Sequence, residues 1–420
     1  GETKNGAVAI LPGGKGTLGI SGEPNDCTNG LSNPSMRKTG SGAVYKTYAP
    51  VAEGVIDTQT PQADHRGDVQ CWNAAGRALY FVDVETGKSI KTLYKDASGQ
   101  ELIFPSPMVG NPIMFQSDVG TLGSRAFITD QDGVIWRIDI SSSQQVEDQP
   151  LEGWTARPFH DIFWDRTPSS GQPSYEAPIL SVDTDGRLVV LAGTGDTDNF
   201  TNATAENRVV SLTEVLAAGV VEPTGPEDYR AAINWEKRVK PNDGFAVSEL
   251  VTGSMGLFNG QLFFGTFIPF SGSGNACDLG RGRIFAVNYL QHDENDLNPS
   301  TPQTWGPTVV DAAGSTQADS VINVPVSGAA ENFMVMGLGV TQRPSCVSLD
   351  TGKYDVLSQS LQTVSQVAEP AVYLVAQASG DKSVGSLAQN RSGSELGSME
   401  LRLQKSTSVS RVTSWATSVD

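Results

Sequence analysis

A short strand–turn–strand unit recurs along this chain, and it constrains the fold more than any other feature of the sequence. The clearest copy runs from Gly123 to Ile140, where Asp132-Gly133 separates two apolar runs. An Asp-Gly pair between two such runs is a strong hairpin signal, because glycine accepts the positive φ of a tight turn. Further turn-and-strand units begin at Gly76, Asp185, Asn259, Gly282 and Phe333. A degenerate repeat of this kind predicts radial repetition of small sheets, as in a β-propeller.

The second strand of the clearest hairpin alternates in polarity. Val134, Trp136 and Ile138 share one face, whereas Arg137 and Asp139 share the other. Side chains in a strand point to opposite faces in turn, so this alternation predicts a strand rather than a helix.

The composition agrees with a turn-rich, all-β chain. There are 45 glycines and 23 prolines in 420 residues, and helix is expected only in patches such as Leu212 to Ala218. We therefore predict an all-β, modified β-propeller of about seven irregular blades. Residues 1–40 form an irregular N-terminal segment in this prediction, and residues 41–420 form the propeller. Long loop insertions are expected at about 197–245, 293–317 and 379–397.

The charge of the chain argues against binding to nucleic acid, and its hydropathy argues against a membrane-spanning helix. The formal net charge is -18 and no basic stripe occurs, whereas binding to nucleic acid requires clustered Lys and Arg. No apolar run approaches the roughly 18 residues that a membrane-spanning helix needs. The chain begins at Gly1 without a signal-like segment, so we expect it to be a processed or truncated piece of a larger protein.

The four cysteines lie in loop-like sequence and lack the C-x-x-C spacing of zinc or redox sites. We predict two structural disulfides formed in an oxidising compartment. Three pairings are possible, and proximity in sequence favours Cys27–Cys71 and Cys277–Cys346. Four unrelated buried thiols are the alternative.

The sequence has few residues and none of the usual motifs for hydrolysis or for binding a transition metal. The three histidines are His65, His160 and His292, and neither a G-x-S-x-G nor an H-E-x-x-H pattern occurs. His160 is interpreted as a packed or hydrogen-bonded loop residue rather than a general base. We therefore expect that the protein is not an enzyme.

Two loop patterns could bind something. Calcium needs several oxygen ligands from a short loop, and the Asp-rich candidates are Asp130–Asp132, Asp183–Gly186 and Asp196–Asn199. None completes an EF-hand, and each is also an ordinary turn in which Asp caps the backbone. The tripeptide Arg66, Gly67 and Asp68 would present an integrin-type adhesion motif if it is exposed on its polar loop.

Several of these segments, taken in order, resemble one family. The run from Gly123 to Ser141 resembles the signature of the C-terminal domain of the PilC/PilY family, the adhesins associated with the tip of type IV pili. Gly76 to Val84 is similar to a strand of that family, and so are Phe104 to Pro107, Ala177 to Gly195 and Arg411 to Trp415. The resemblance covers about residues 40 to 415.

The resemblance implies a secreted, non-enzymatic domain at the pilus tip, exported through the periplasm to the cell surface. It would act in pilus assembly and retraction, twitching motility and attachment to host or abiotic surfaces, with minor pilins and the pilus machinery as partners. It also implies an N-terminal half holding a von Willebrand A-like domain.

The family's calcium loop is degenerate in this chain, because only Asp118 keeps a carboxylate in the run that precedes Gly123. The loss of three carboxylates removes most of the ligand charge and argues against calcium binding at this loop. Asp118, Asp130 and Asp132 are the remaining candidate ligands.

Two other function classes compete. A strand that ends in an Asp and is followed by Thr86-Gly87-Lys88 also occurs in quinoprotein-like dehydrogenases with a PQQ cofactor, although this chain lacks the adjacent cysteine pair that would cover the quinone. The third candidate is a propeller scaffold of another cell-envelope complex.

Overall fold

A computed structural model describes most of the N-terminal two thirds of the chain and selected strands beyond it. The described residues are 7–18, 32–34, 46–47, 50–52, 55–56, 63–64, 68–95, 102–116, 123–140, 154–200, 202, 204–223, 228–237, 239, 245–258, 260–269, 280–290, 309–310, 316–317, 321–324, 334–343, 371–379 and 397–403.

Almost every regular element in these ranges is a strand, and the one exception is a 3-10 turn at Pro168–Ser170. The strands of the first half are β1 (Val8–Pro12), β2 (Ser32–Pro34), β3 (Lys46–Thr47), β4 (Pro50–Ala52), β5 (Val55–Ile56), β6 (Ala63–Asp64), β7 (Asp68–Gln70), β8 (Leu79–Asp83), β9 (Ser89–Leu93), β10 (Ile113–Phe115), β11 (Arg125–Thr129), β12 (Val134–Asp139), β13 (Thr155–Asp161), β14 (Ile179–Val182) and β15 (Leu188–Gly193). The remaining strands are β16 (Val209–Leu216), β17 (Tyr229–Lys237), β18 (Leu250–Val251), β19 (Gly256–Phe258), β20 (Gln261–Ile268), β21 (Arg281–Asn288), β22 (Val309–Val310), β23 (Thr316–Gln317), β24 (Val321–Val324), β25 (Met334–Arg343), β26 (Ala371–Ser379) and β27 (Gly397–Leu403).

These strands form consecutive antiparallel sheets. Sheet 1 has the order β1-β8-β9, sheet 2 is β10-β11-β12-β13 and sheet 3 is β14-β15-β16-β17. Sheet 4 is β18-β20-β21-β24 with β19 also paired to β20, and sheet 5 is β23-β22-β27-β26-β25. Three two-stranded pairs, β2-β7, β3-β6 and β4-β5, complete the described strands. Sheets 2 and 3 are four-stranded meanders that follow one another along the chain, which is the arrangement of propeller blades.

Each central sheet is buried on both faces, because alternate residues of one strand enter different cores. In β12, Trp136 packs in an apolar cluster with Leu79 and Phe81 of sheet 1. Its neighbour Ile135 packs in a second cluster with Val190 of sheet 3. Residues of sheet 3 with the opposite orientation form a third cluster with sheet 4. The sheets are therefore stacked face to face in chain order, and we call the contact of sheets 2 and 3 the second interface.

Hydrogen bonds between the segments that lead into the sheets join neighbouring sheets at one end. Met108 N–H donates to Gly76 O at 2.9 Å, which joins the approach to sheet 2 with that to sheet 1. Thr129 Oγ1 donates to Ser174 O at 2.8 Å, and Val251 N–H donates to Thr194 O at 3.1 Å. The all-β, propeller-type fold that the sequence predicts is therefore confirmed. Five sheets of three or more strands occur among the described residues, while the total of about seven blades stays a prediction.

The hairpin prediction is also confirmed, since Ala126 pairs with Ile138 and Ile128 with Trp136 across an antiparallel β11–β12 ladder.

The predicted helix at Leu212 to Ala218 is wrong. These residues belong mainly to β16, an eight-residue central strand whose two ladders pair it with β15 and β17. Good helix-forming residues adopt a strand here because Leu212 and Val215 are buried between neighbouring sheets. Tertiary packing overrides the local propensity.

The predicted insertion at 197–245 needs the same correction, because it contains β16 and β17, half of sheet 3. The irregular N-terminal segment likewise contributes β1, which pairs with β8 and completes sheet 1. The insertion predicted at 293–317 contains the short strands β22 and β23 of sheet 5, and 379–397 lies almost entirely outside the described residues.

Over the described part of the chain, no helix has the length and apolar character needed to cross a membrane.

Candidate functional site

The predicted calcium ligands that can be located are part of a hydrogen-bonded turn between β11 and β12. Asp130 is fully buried. Its Oδ1 accepts hydrogen bonds from the N–H groups of Asp132 and Val134, at 3.0 and 2.8 Å. Its Oδ2 accepts from Ser106 Oγ at 2.5 Å and from Trp136 Nε1 at 2.9 Å. All four bonds come from neutral donors of the protein, so this carboxylate serves the turn and its surroundings.

Asp132 has a similar role toward another segment. It is also fully buried, and it accepts hydrogen bonds from Trp72 Nε1 at 2.6 Å and from Gln70 Nε2 at 3.0 Å. These bonds attach the turn of sheet 2 to the segment that ends β7. A calcium ligand directs its lone pairs at the ion, whereas these oxygens receive N–H groups. Among the described residues, no three His, Cys, Asp or Glu side chains form a group suited to a metal ion. Asp118 lies outside the described residues.

Other predicted site residues are only partly located. Arg66 and Gly67 lie outside the described residues, and Asp68 is the first residue of β7, paired with Pro34 of β2. Cys71 is buried and takes part in a disulfide. Cys27, Cys277 and Cys346 lie outside the described residues, so the pairing stays a prediction.

Of the histidines, only His160 lies among the described residues, and it is fully buried at one end of the second interface. His160 Nε2 lies 3.7 Å from Glu236 Oε1, which also accepts a hydrogen bond from Trp164 Nε1 at 2.9 Å. Arg208 lies 2.7 Å from Asp165 Oδ1. Burial alone would raise the pKa of Glu236, but His160, Arg208 and Trp164 together lower this pKa below its ordinary value. The interpretation of His160 as a packed residue agrees with its burial, but its placement in a loop is wrong, because His160 lies in strand β13.

A second charged group at the opposite end of the same interface is absent from the sequence predictions. We call Arg125, Arg137, Asp139, Glu214 and Tyr229 the Arg125 cluster. Arg125 Nη2 lies 2.9 Å from Glu214 Oε2, and Arg137 Nη2 donates to Asp139 Oδ1 at 2.9 Å. Sheet 2 supplies the two guanidinium groups and Asp139, and sheet 3 supplies Glu214 and Tyr229. The face that carries Arg137 and Asp139 is therefore buried against the next sheet.

The charges in this cluster are matched, although not all of its hydrogen bonds are made. Arg137 Nη1 lies 3.0 Å from Glu214 Oε1, yet among the described residues neither atom has an aligned hydrogen-bond partner. Arg137 also lies over the Tyr229 ring, 4.4 Å from its centroid. Burial raises the pKa of Glu214 and of Asp139, and burial lowers the pKa of Arg125. Burial therefore disfavours the charged form of each of these three groups, and the opposite charges of the cluster counteract this effect.

A cavity of about 460 Å³ adjoins the Arg125 cluster. It lies where β11 begins, where β16 ends and where the β14–β15 and β16–β17 turns meet. Its lining residues are Arg125, Gly186, Arg187, Leu188, Glu214, Val215, Leu216, Ala217, Gly219, Val220 and Tyr229. We call it the second-interface cavity. Its volume is in the range of small-molecule sites, which is roughly 300–1,000 Å³.

One feature of the sequence indicates the charged cluster beside this cavity. Glu214 interrupts the otherwise apolar and hydroxylic run of β16, and a lone acid in a strand that is buried on both faces needs a cationic partner. The identity of that partner, Arg125 of the preceding sheet, follows only from the stacking of sheets.

Comparison with known proteins identifies no relative that shows a family. Neither protein-family models nor curated proteins gave a match to the sequence. Among solved structures, a europium-containing methanol dehydrogenase is 13% identical with a TM-score of 0.25, and the match covers 60% of this chain and 41% of that chain. An α-L-arabinanase of Penicillium chrysogenum complexed with arabinobiose is 13% identical with a TM-score of 0.26, covering 93% and 98% of the two chains. These similarities carry no argument about the function of this chain.

Proposed function

We propose that this chain is the propeller domain of a type IV pilus tip adhesin of the PilC/PilY kind. In this proposal it is a non-enzymatic protein that acts at the cell surface in pilus assembly, pilus retraction and attachment. Minor pilins and a host or abiotic surface are its partners, and twitching motility depends on it.

One observation carries the proposal. Four of the five segments that resemble the family lie, in chain order, in or next to sheets 1 to 3, and the fifth, Arg411 to Trp415, lies outside the described residues. Gly76 to Val84 contains β8 of sheet 1, Phe104 to Pro107 leads into sheet 2, Gly123 to Ser141 contains the β11–β12 hairpin, and Ala177 to Gly195 contains β14 and β15 of sheet 3. A chance set of short matches would not be expected to follow the architecture sheet by sheet, so this placement supports a shared fold with that family.

The buried positions of the signature also fit a domain in which the signature residues have structural roles. Asp130 and Trp136 bond to each other, and Asp130 also bonds to Ser106, so they join the β11–β12 hairpin to the segment that precedes sheet 2. Arg137 and Asp139 lie in the second interface. Side chains used in this way fix the spacing of the sheets, and they leave binding to the loops and the cavities between sheets.

The proposal is tested in the source cell by an in-frame deletion of the coding region for residues 41–420. We expect fewer surface pili, reduced attachment and reduced twitching, all restored by the wild-type chain. Mass spectrometry of sheared pili should recover the protein, and immunolabelling should place it at pilus ends. Intact piliation with unchanged attachment would refute the proposal.

A second experiment tests the alternative that the chain is a quinoprotein dehydrogenase. Purified protein is mixed with PQQ and calcium, and its absorption spectrum and its reduction of an artificial dye are measured. A tightly bound chromophore with alcohol-dependent dye reduction would replace the adhesin proposal with a dehydrogenase. An envelope scaffold would instead leave pili unaffected by the deletion and would copurify with a different complex.

A further inference from the structure

Sheet 1 has three strands, whereas sheets 2 and 3 have four. In sheets 2 and 3 the third strand is covered by a fourth, since β12 pairs with β13 and β16 pairs with β17. The order of the strands makes β9 the third strand of sheet 1, equivalent to β12 and β16. Among the described residues, β9 pairs in a ladder only with β8, so no strand covers its outer edge.

The direction of the backbone groups shows that this edge can accept a strand. Gly13 N–H donates to Ala78 O, so the backbone groups of Ala78, and those of Tyr80 two residues later, point toward β1. Tyr80 lies opposite Thr92 in the β8–β9 ladder. These two residues therefore form a non-hydrogen-bonded pair, and the N–H and C=O groups of Thr92 point away from β8 toward the outer edge.

The chain enters the outer position beside the end of β9 and then leaves it. Ile103 N–H donates to Tyr94 O at 3.0 Å, and Leu102 forms a single bridge with Lys95. Phe104, the next residue, is fully buried in the core between sheets 1 and 2. In the part of the chain that the structure describes, nothing continues this pairing along the five residues of β9.

Lysines lie at both ends of this edge. Positions 86 to 95 hold three lysines and no acid, although Glu85 and Asp96 flank them. Lys88 and Lys95 are exposed, and neither forms an ion pair with a carboxylate of the described residues. The Lys95 ammonium lies 5.8 Å from the centroid of the Tyr94 ring. The two ends of β9 therefore carry positive charge that no described acid neutralises.

These charges limit what can pair with the edge. A second copy of this chain, paired edge to edge, would bring its lysines close to these, and like charges that face each other across strands are destabilising. A segment with an acidic residue near each end would instead form ion pairs. The long-range repulsion from a chain of net charge -18 is screened within about 8 Å at physiological ionic strength, which is longer than an ion pair.

The sheet face beside the edge is apolar. Leu11, Tyr80 and Thr92 lie side by side on the face of sheet 1 that points away from sheet 2. Leu11 is 48% exposed and Tyr80 is 42% exposed. Because successive side chains of a strand point to opposite faces, an added strand with alternating apolar residues would extend this apolar face.

We propose that the outer edge of β9 binds an extended segment of a partner polypeptide as the fourth, antiparallel strand of sheet 1. The segment has alternating apolar residues and an acidic residue near each end. Hydrogen bonds to the backbone of Thr92 and its neighbours provide affinity, and Lys88 and Lys95 select the acidic ends. This site is independent of the proposed role in pili.

The probe that tests the site is the peptide acetyl-Glu-Val-Thr-Val-Thr-Val-Glu-amide, and the matched control has Lys in place of both Glu residues. Binding to the whole chain is measured by calorimetry. We expect the Glu peptide to bind about tenfold more tightly, because the control replaces two exposed ion pairs by two repulsions. Hydrogen exchange, measured by mass spectrometry, should slow in residues 88–95 when the Glu peptide is bound. Equal affinities, no binding, or protection only of other segments would overturn the proposal.

Variants place the binding at this edge. Thr92→Pro removes the outward N–H group and is compatible with an edge strand, whereas its control Thr92→Val keeps this group. We expect a loss of about tenfold in affinity for the first variant, because proline cannot donate to the added strand and its ring obstructs it, and little change for the second. An equal loss in both variants would contradict the assignment.

A second pair of variants tests the charges and does not depend on the proline variant being folded. Lys88→Gln combined with Lys95→Gln should weaken binding of the Glu peptide several-fold. The control combines Arg166→Gln with Arg187→Gln, which also removes two exposed positive charges but far along the chain from β9, and it should leave the affinity unchanged. Equal effects of the two double variants would show that net charge, and not this edge, determines binding.

Sedimentation of the chain alone tests other occupants of the edge. We expect a monomer. A dimer that Thr92→Pro dissociates would assign the edge to a second copy and overturn the proposal. A monomer that fails to bind the Glu peptide would overturn it as well. Neither result bears on the role in pili, which the deletion experiment tests separately.

Discussion

Two turns in neighbouring sheets have the same sequence pattern, the same backbone hydrogen bonds and different surroundings. Asp130–Gly133 joins β11 to β12, and Asp183–Gly186 joins β14 to β15. In each turn the first Asp accepts from two backbone N–H groups, at 3.0 and 2.8 Å in one turn and at 2.9 and 2.8 Å in the other. The glycines have φ values of +78° and +79°. Local sequence therefore fixes the two turns to the same geometry.

The two turns differ in burial and in the residues that contact them. Both aspartates of the first turn are fully buried and bond to Ser106, Trp72 and Trp136 of other segments. In the second turn, Asp185 is 67% exposed and its partner Arg187 is 46% exposed. The pattern that looked like a calcium loop is thus an ordinary turn in one sheet and a point of attachment between segments in another.

The first position of the pattern should show the largest difference. Asp130→Ala removes the acceptor of four hydrogen bonds and leaves buried donors of Ser106 and Trp136 without it. We expect a loss of about 3–5 kcal/mol in the free energy of unfolding. The Asp183 side chain is only 6% exposed, but its one side-chain partner is the exposed Arg187, so Asp183→Ala should cost less, about 1–2 kcal/mol. Urea denaturation of both variants measures the difference. Similar losses would show that local turn chemistry, and not burial, determines the role of Asp130.

The sequence predicted the local part of this comparison and missed the tertiary part. Asp-Gly in a hairpin follows from backbone geometry alone, so the turn and its strands were predicted correctly. The side-chain donors to Asp130 are Ser106, 24 residues before it, and Trp136, six residues after it. No pattern within the turn specifies them. The calcium hypothesis arose because a carboxylate that caps a backbone and one that binds a cation have the same spacing.

The same reason explains the errors in sheet 3 and in the candidate site. The segment Leu212 to Leu216 contains residues that favour helix, but it forms a strand because it pairs with β15 on one side and β17 on the other. Arg137 and Asp139 look like a polar surface in sequence, and they are buried because a further sheet covers that face. Periodicity reports which residues share a face. Whether that face meets water or another sheet depends on topology.

The glycine position should give the second largest difference. A Cβ at Gly133 would lie 2.7 Å from a ring carbon of Phe163 and 2.8 Å from Gln172 O, whereas a Cβ at Gly186 would meet nothing within 4 Å. Gly186→Ala therefore carries only the left-handed backbone penalty, about 1–2 kcal/mol. Gly133→Ala adds the overlap with Phe163 and Gln172 to this penalty and should cost about 2–4 kcal/mol in total.

Thermal and urea unfolding of the two alanine variants would measure this difference directly. The pair shares one backbone conformation, so subtraction isolates the packing around Gly133. A difference near zero would mean that Phe163 moves aside freely, and the second interface would then be less tightly packed than its buried aromatic residues indicate.

The third position should give the smallest difference and is the most specific test of charge. Trp72 and Gln70 donate to different oxygens of Asp132, so Asp132→Asn places an NH₂ group opposite one of these two N–H donors. We expect a loss of about 1 kcal/mol, because one acceptor oxygen remains and only one pair of donors then opposes each other in a buried place. Asp185→Asn weakens only an exposed ion pair with Arg187 and should change stability by less than about 0.5 kcal/mol. Measuring both at low and high salt sharpens the contrast: the small effect at Asp185 should disappear as salt screens the pair, and the effect at Asp132 should remain. If the effect at Asp132 also disappeared with salt, its role would be that of a surface charge, and the attachment between the turn and the Gln70–Trp72 segment would not depend on these hydrogen bonds.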